Sequence, residues 1–302
     1  MNDIQISNAG PCFTVFTGTY NRAYSLRRVY ESLLAQTFQD FEWLIVDDGS
    51  TDDTDECVRG MVKEGRLRIR YVKKSNGGVH TAHNVALREA RGEFFLRLDS
   101  DDACVPYALE ALRDKWQEIP ENIKDEYSGV SCLCMRSSGE IIGDFYPDSP
   151  WDSEYPVLLS LQGEKWGTHR VELLRQHPFP EFAGERFCPE SLVWARLHDT
   201  YKTRCFNAAL KIYFESGDSI TRSMTRTRYR SPKGVALYYN EQMRRLRKFR
   251  AFRHAVNYVR FSSANGGVLR AIITAKSKPL VLLALPLGMV MHVRDRLRGD
   301  CE

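Results

Sequence analysis

A chain of 302 residues with 43% hydrophobic and 11% aromatic content has enough apolar side chain for a substantial core, which excludes wholesale disorder. Its eight cysteines are scattered without a CxxC pair, which excludes a zinc ribbon or dithiol motif and reads as free thiols in a reducing compartment. The net charge of +4 is unevenly divided: residues 219–302 carry 18 Lys/Arg against four acids, so an acidic body precedes a basic tail suited to an anionic partner.

The first ten residues are polar and lack an apolar h-region, so no signal peptide is expected. Residues 13–17 are a short apolar, β-rich run, followed by Leu26, Val29, Tyr30, Leu33 and Leu34 at helical spacing. Residues 41–46 read as a second buried strand ended by Asp47-Asp48-Gly49-Ser50, and 52–63 as a polar helix. Apolar and basic residues alternate over 67–72, which suits a strand near a sheet edge. A helix is expected over 79–90, after Gly77-Gly78, and a fourth strand over 94–98, running into Asp99-Ser100-Asp101-Asp102. This alternation predicts an α/β fold with a mostly parallel sheet flanked by helices, its ligands at the carboxyl ends of the strands. Beyond 104 the pattern is mixed, with strands expected at 130–135 and 210–214 and helices at 157–161 and 191–198.

Three of the four strands end in polar sequence: Thr19-Tyr20-Asn21-Arg22, Asp47-Asp48, and Asp99 to Asp102. Three carboxylates in four positions repel one another unless a cation neutralises them, and oxygen donors at a strand end suit Mg²⁺ or Mn²⁺ bridging phosphates. The same acids also read as a helix cap ahead of 105–116, and Asp47 to Asp52 as a capping loop turned by Gly49. Gly77-Gly78 would let backbone approach a ligand closely. No GxGxxG follows the first strand, which removes the case for a dehydrogenase.

The ordered set of these blocks resembles family 2 glycosyltransferases of the GT-A fold, of the bacterial surface-polysaccharide type. It comprises 13–22, 32–42, 46–52, Asn76-Gly77-Gly78 with Ala82-His83-Asn84, and Arg91-Gly92-Glu93 with 98–102, and it covers about 12–115. The resemblance implies an inverting enzyme that moves a sugar from a nucleotide diphosphate sugar, a UDP-sugar ahead of GDP- or TDP-sugars. It implies that Thr19, Tyr20 and Arg22 line the nucleotide pocket, Asp48 accepts a hydrogen bond from the base, and Asp99 lies by the ribose, with Ser100 also in the nucleotide-sugar site. Asp101 would ligate Mn²⁺ or Mg²⁺ on the diphosphate. Gly78, His80 and Asn84 join the donor site in this reading, although His80 also reads as a surface or capping histidine. Gly18 stands where the family usually has Pro, and His83 where many members have Arg.

Inverting transfer needs a general base. The run 182–194 resembles the Pro-Glu version of the family's acidic helix start, which makes Glu190 the expected base, with Glu185 second and a first-turn acid as the bland alternative. Lys165 would touch phosphate and Trp166 stack on a sugar, unless they are a surface lysine and a core tryptophan.

The tail interleaves Leu246, Phe249, Phe252 and Val256 with arginines over 244–256, which predicts one amphipathic helix at an anionic membrane surface. Residues 279–293 are uncharged, shorter than a span and broken by Pro286, so they read as a shallow or re-entrant segment, or else as a buried helix. The expected organisation is a donor half (1–103), an acceptor and base half of the same domain (104–222), and a membrane-associating tail (223–302). The expected place is cytoplasmic and peripheral on the inner face of the membrane, with a glycan or lipid-linked saccharide as acceptor and no nucleic acid as partner. A non-catalytic binding module on the same scaffold is the alternative.

Overall fold

The computed structural model describes residues 10–153, 158, 161–215, 224–246, 248–264 and 267–301. They divide into two compact units: one of residues up to Asn76, Ala82–His177 and Leu197–Phe214, the other of Gly77–Thr81, Pro178–Arg196 and Glu215 onward.

In the first unit β1 (Phe13–Thr19), β2 (Phe41–Asp47), β3 (Ile69–Lys73) and β4 (Phe94–Arg97) alternate with α1 (Ala23–Leu34), α2 (Thr54–Glu64) and α3 (Val79–Glu89). β2 and β4 flank β1 in parallel, and β3 lies parallel to β2. The chain goes on through β5 (Ala103–Cys104), α4 (Ala108–Gln117), β6 (Tyr127–Arg136), β7 (Trp151–Asp152), β8 (Lys165–Arg170), α5 (Val171–Arg175), α6 (Ser191–His198) and β9 (Lys202–Tyr213). One sheet results, in the order β3-β2-β1-β4-β8-β6-β9-β5 with β7 on β9, and β8 runs antiparallel to both β4 and β6. β9 begins well before the expected strand because its polar start is held by ion pairs, Lys202 to Glu126 and Arg204 to Asp152. The helix expected at 157–161 lies largely outside the described residues.

Strand alternation sorts the core. Phe13 and Val15, Trp43 and Ile45, and Leu96 pack with α1, α2 and α4. From β1 and β4, Phe16 and Phe95 instead meet the His83 ring of α3, at 5.7 and 5.0 Å between centroids. Each such buried aromatic or aliphatic side chain contributes about 1.5–3 kcal/mol. All eight cysteines are free.

The second unit takes in α6 up to Arg196 and contains α7 (Met224–Arg230), α8 (Pro232–Arg245), α9 (Lys248–Ser262), α10 (Gly267–Thr274) and α11 (Lys278–Leu297). The single helix expected over 244–256 is not formed: α8 ends at Arg245 and α9 starts at Lys248. Nor does its apolar stripe face outward. Leu246, Ala251, Ala255 and Val256 are buried in the bundle, because α8 and α11 need an apolar partner, and Phe249 alone of the four stripe residues is well exposed. Residues 279–293 belong to one continuous helix that runs through Pro286. It lies close on α9 at Gly288, where a Cβ would come within 2.6 Å of the Val259 side chain. Asp295, on the buried side of α11, accepts from Tyr229 at 2.9 Å and Arg260 at 2.5 Å. No helix among the described residues is long and apolar enough to cross a membrane.

Candidate active site

Parallel β1, β2 and β4 deliver their carboxyl ends to one edge of the sheet. There the first two loops are laced together. Asn21, at φ +52°, donates its backbone N–H to Ser50 Oγ at 2.9 Å, and its side-chain oxygen accepts from Thr51 N at 2.8 Å. Asp47 is fully buried and builds the turn, accepting from Ser50 N at 2.7 Å and Tyr71 OH at 2.6 Å. The neighbouring Asp48 meets Lys74 Nζ at 2.6 Å. Both aspartates lie near a lysine, Asp47 at 3.7 Å from Lys73 Nζ and Asp48 at 2.6 Å from Lys74 Nζ, but Asp47 is the one that builds the turn.

The exit of β4 is anchored on both sides. Trp43 Nε1 donates to Thr17 Oγ1, which donates to Leu98 O, and Trp166 Nε1 donates to Arg97 O at 2.5 Å. These bonds hold an acidic group in place. Lys211 Nζ, on β9, lies 2.7 Å from Asp99, 2.8 Å from Asp102 and 2.5 Å from Glu164. Burial acts to lower the lysine pKa, but these carboxylates outweigh it and hold the ammonium well above its ordinary value. Burial likewise raises Asp99, yet Arg97 and Lys211 bring it well below the carboxylate range. Asp102 is pushed up to about 6, by burial first, with Lys211 opposing and Asp99 assisting. Asp101 turns the other way: its carboxylate meets Arg22 NH1 at 3.2 Å, its carbonyl accepts from Arg28 NH1 at 2.6 Å, and 22% of its side chain is exposed.

Sequence reasoning missed Lys211, Glu164, Arg28 and Arg97. The readable signal was Lys211 itself, one charge inside the apolar strand end 208–213, which must find carboxylates if it is buried.

The remaining expected residues are distributed as follows. Thr19, Ser100 and Asn84 are buried, and Tyr20 is exposed. Lys165 Nζ donates to Asp144 O at 2.5 Å and Gln162 O at 3.2 Å, away from the acidic group, and Trp166 is part of the core. His83 is buried among aromatic rings, and burial, followed by Arg97 and His169, lowers its pKa to about 3. It is a neutral core residue, not a phosphate-binding cation.

Gly78, His80, Glu185 and Glu190 belong to the second unit. Gly78 has φ +93°, and a Cβ there would lie 1.9 Å from the carbonyl oxygen of Arg186. Its bareness accommodates the chain's own segment. His80 is buried, with its ring 6.4 Å from Phe179. Both carboxylate oxygens of Glu185 are used at the start of α8, accepting from Lys233 N at 2.8 Å and Gly234 N at 2.9 Å. Glu190 is half-buried directly ahead of α6, and its carbonyl accepts from Val193 N at 3.0 Å.

The donor chemistry tests the expected metal. Asp99, Asp102 and Glu164 present oxygens within 4.8 Å of one another, a hard-ligand set. The Lys211 ammonium supplies the cation among them. Asp101 remains a partly exposed oxygen donor beside them in sequence, and Mg²⁺ or Mn²⁺ is commonly held by one or two carboxylates plus substrate phosphates. Oxygen donors of the kind that hold Mg²⁺ or Mn²⁺ are therefore present at the end of β4.

Residues 14–127 match the family model described as glycosyl transferase family 2. Over 231 residues the chain is 29% identical to the GalNAc(5)-diNAcBac-PP-undecaprenol beta-1,3-glucosyltransferase of Campylobacter jejuni, covering 73% of this chain and 70% of that protein. Residues 14–127 are therefore a glycosyltransferase family 2 domain. Other relatives share less of their length: a hyaluronan synthase of Pasteurella multocida is 38% identical over 113 residues, 36% of this transferase but 12% of the synthase. Among solved structures, S. aureus TarS 1-349 in complex with UDP-GlcNAc aligns with a TM-score of 0.58 at 21% identity, covering 95% of the transferase and 83% of TarS. That likeness shows the fold, a GT-A-like sheet flanked by helices.

Proposed function

We propose that this glycosyltransferase moves a sugar from a UDP-sugar, with inversion, to a hydroxyl of a glycan or lipid-linked saccharide. The observation that carries the reading is the charged edge at the ends of β1, β2 and β4, where Asp48, Asp99 and Asp101 each face a cation of the chain. Asp48 is suited to the base, Asp99 to the ribose, and Arg22 to the diphosphate once Asp101 turns to a metal. A bound Mn²⁺ or Mg²⁺ would offset the charge that builds on the departing nucleotide diphosphate. Support for a UDP donor comes from the UDP-GlcNAc complex of TarS. A mannosyltransferase of Pyrobaculum calidifontis, solved with GDP-Man and Mn2+, supports the metal and keeps GDP as the second donor base. The undecaprenol-linked glycan in the Campylobacter relative's name supports a lipid-linked acceptor, and with it peripheral attachment to a membrane through the basic C-terminal segment.

Glu190 is the proposed general base. Glu185, the other acid of that segment, is spent on capping α8. Calorimetric titration of UDP and GDP, with Mn²⁺ and then EDTA, tests the reading in wild type and Asp101→Ala. Metal-dependent UDP binding that Asp101→Ala abolishes is expected, with Glu190→Gln binding UDP normally while transfer stops. Failure of the folded protein to bind either nucleotide defeats it.

A further inference from the structure

The bundle of the second unit leaves one helix apolar on both sides. α11 is 20 residues long, about 30 Å at the rise of a helix. Val281, Ala284, Gly288 and Asp295 form its inner side against the bundle. On the opposite side Leu282, Leu283, Leu287, Val290 and Val293 are all at least 47% exposed. The neighbouring α10 repeats the pattern on one turn, with Ala271 inward and Leu269 and Ile273 out. A solvated helix face normally carries polar residues, so an outward stripe of this length calls for an apolar contact.

Charge decides what makes that contact. Lys276 and Lys278 are exposed at the start of α11, and Arg294, Arg296 and Arg298 at its end. The one acid of α11, Asp295, is buried and paired with Arg260, so no carboxylate interrupts the outer face. Among the described residues from Met224 onward the other acids are Glu241, also buried and ion-paired, and Asp300. A second copy packed on this stripe, in either direction, would bring basic ends against basic ends. An anionic bilayer matches both features: acyl chains receive the leucines and valines while headgroups receive the lysines and arginines.

We propose that the outer face of α11, continued by Leu269 and Ile273 of α10, is the surface by which the transferase lies on an anionic membrane. This rests on the reading of peripheral attachment given above, and it moves the contact away from α9, whose apolar side is consumed by the bundle. The helix lies in the plane of the interface and does not cross it.

The test uses the full chain and flotation with vesicles of phosphatidylcholine, with or without phosphatidylglycerol. Wild type is expected to float with the anionic vesicles and to be released by salt. Leu283→Ser/Leu287→Ser/Val290→Ser should weaken binding by at least about tenfold, since three large aliphatic side chains leave the interface. Lys278→Gln/Arg298→Gln should lose most of the preference for phosphatidylglycerol. Arg250→Gln/Arg253→Gln on α9 should float as wild type does. Unchanged circular dichroism and UDP affinity identify variants that remain folded. If the α9 pair abolishes flotation and the α11 triple does not, peripheral attachment stands and this face is not its surface. If wild type ignores anionic vesicles, both fail. Concentration-dependent dimerisation that the triple variant removes, without vesicle binding, assigns the face to a second copy and overturns the proposal.

Discussion

Lys211→Met removes the one cation shared by three carboxylates while keeping the length of the side chain. Lys211 and Asp102 are each 2% exposed, so their pair is not screened by water. Breaking a buried pair on one side costs ~3–5 kcal/mol, because the remaining charge is uncompensated. Asp99 and Glu164 are 28% and 40% exposed and can be hydrated, so they add little. Asp102 has an escape. Its pKa, about 6 through burial with Lys211 opposing, rises further once the lysine is gone. The carboxyl then protonates in the folded state at mildly acidic pH, and the loss is smaller at pH 5 than at pH 8. Urea unfolding followed by tryptophan emission, with EDTA present, measures this difference. Adding Mn²⁺ should then stabilise the variant more than wild type, because the Asp99, Asp102 and Glu164 oxygens no longer surround an ammonium. Equal stability of variant and wild type at pH 8, or equal gains from Mn²⁺, would refute the assignment of Lys211 as the cluster's cation.

Three further outcomes follow from the geometry. Burial first holds His83 and His169 near pKa 3 and His198 near 4, whereas unfolded histidine takes its proton near 6.5. Stability therefore rises with pH through that window at about 1.4 kcal/mol per unit for each histidine and is level above it; Asp102, raised, acts in the opposite sense between 3.8 and 6. In urea titrations His83→Phe should flatten the slope by one histidine, and an unchanged slope would count against a neutral core His83. Glu185→Ala strips the start of α8 of both its acceptors and should cost ~1–2 kcal/mol in thermal melts, whereas capping by water alone would leave the melting temperature unmoved. Gly78→Ala forces an L side chain into φ +93° and onto the Arg186 carbonyl, so a loss of ~1–3 kcal/mol is expected, and a neutral result would mean that the 186 segment gives way freely.

The parallel part of the sheet was legible because its information is local. Each parallel strand is a short apolar run ending in a polar turn, and topology alone collects those ends. Local pattern could not rank the acids within a motif. Asp47 and Asp48 look alike in sequence, but Asp47 is fixed by Ser50 and Tyr71 while Asp48 meets Lys74, a partner 26 positions on. Asp99 and Asp102 are matched to Lys211, more than a hundred residues later on a strand whose polar beginning hid half its length. Gly78 shows the same limit: bareness in a glycine says that something comes close, not what, and on its Cβ side the neighbour is the Arg186 backbone.

In the tail, periodicity over 244–256 correctly showed a sided segment, yet a stripe facing a bundle and a stripe facing lipid have the same period. Only the packing partner separates them. α9 found its partner in α8 and α11; α11, with a second apolar side and no exposed acid, was left with a surface to cover. The uncharged run 279–293, which reads as a shallow or re-entrant segment or else as a buried helix, is the sum of two apolar faces, one packed within the protein and one directed out of it.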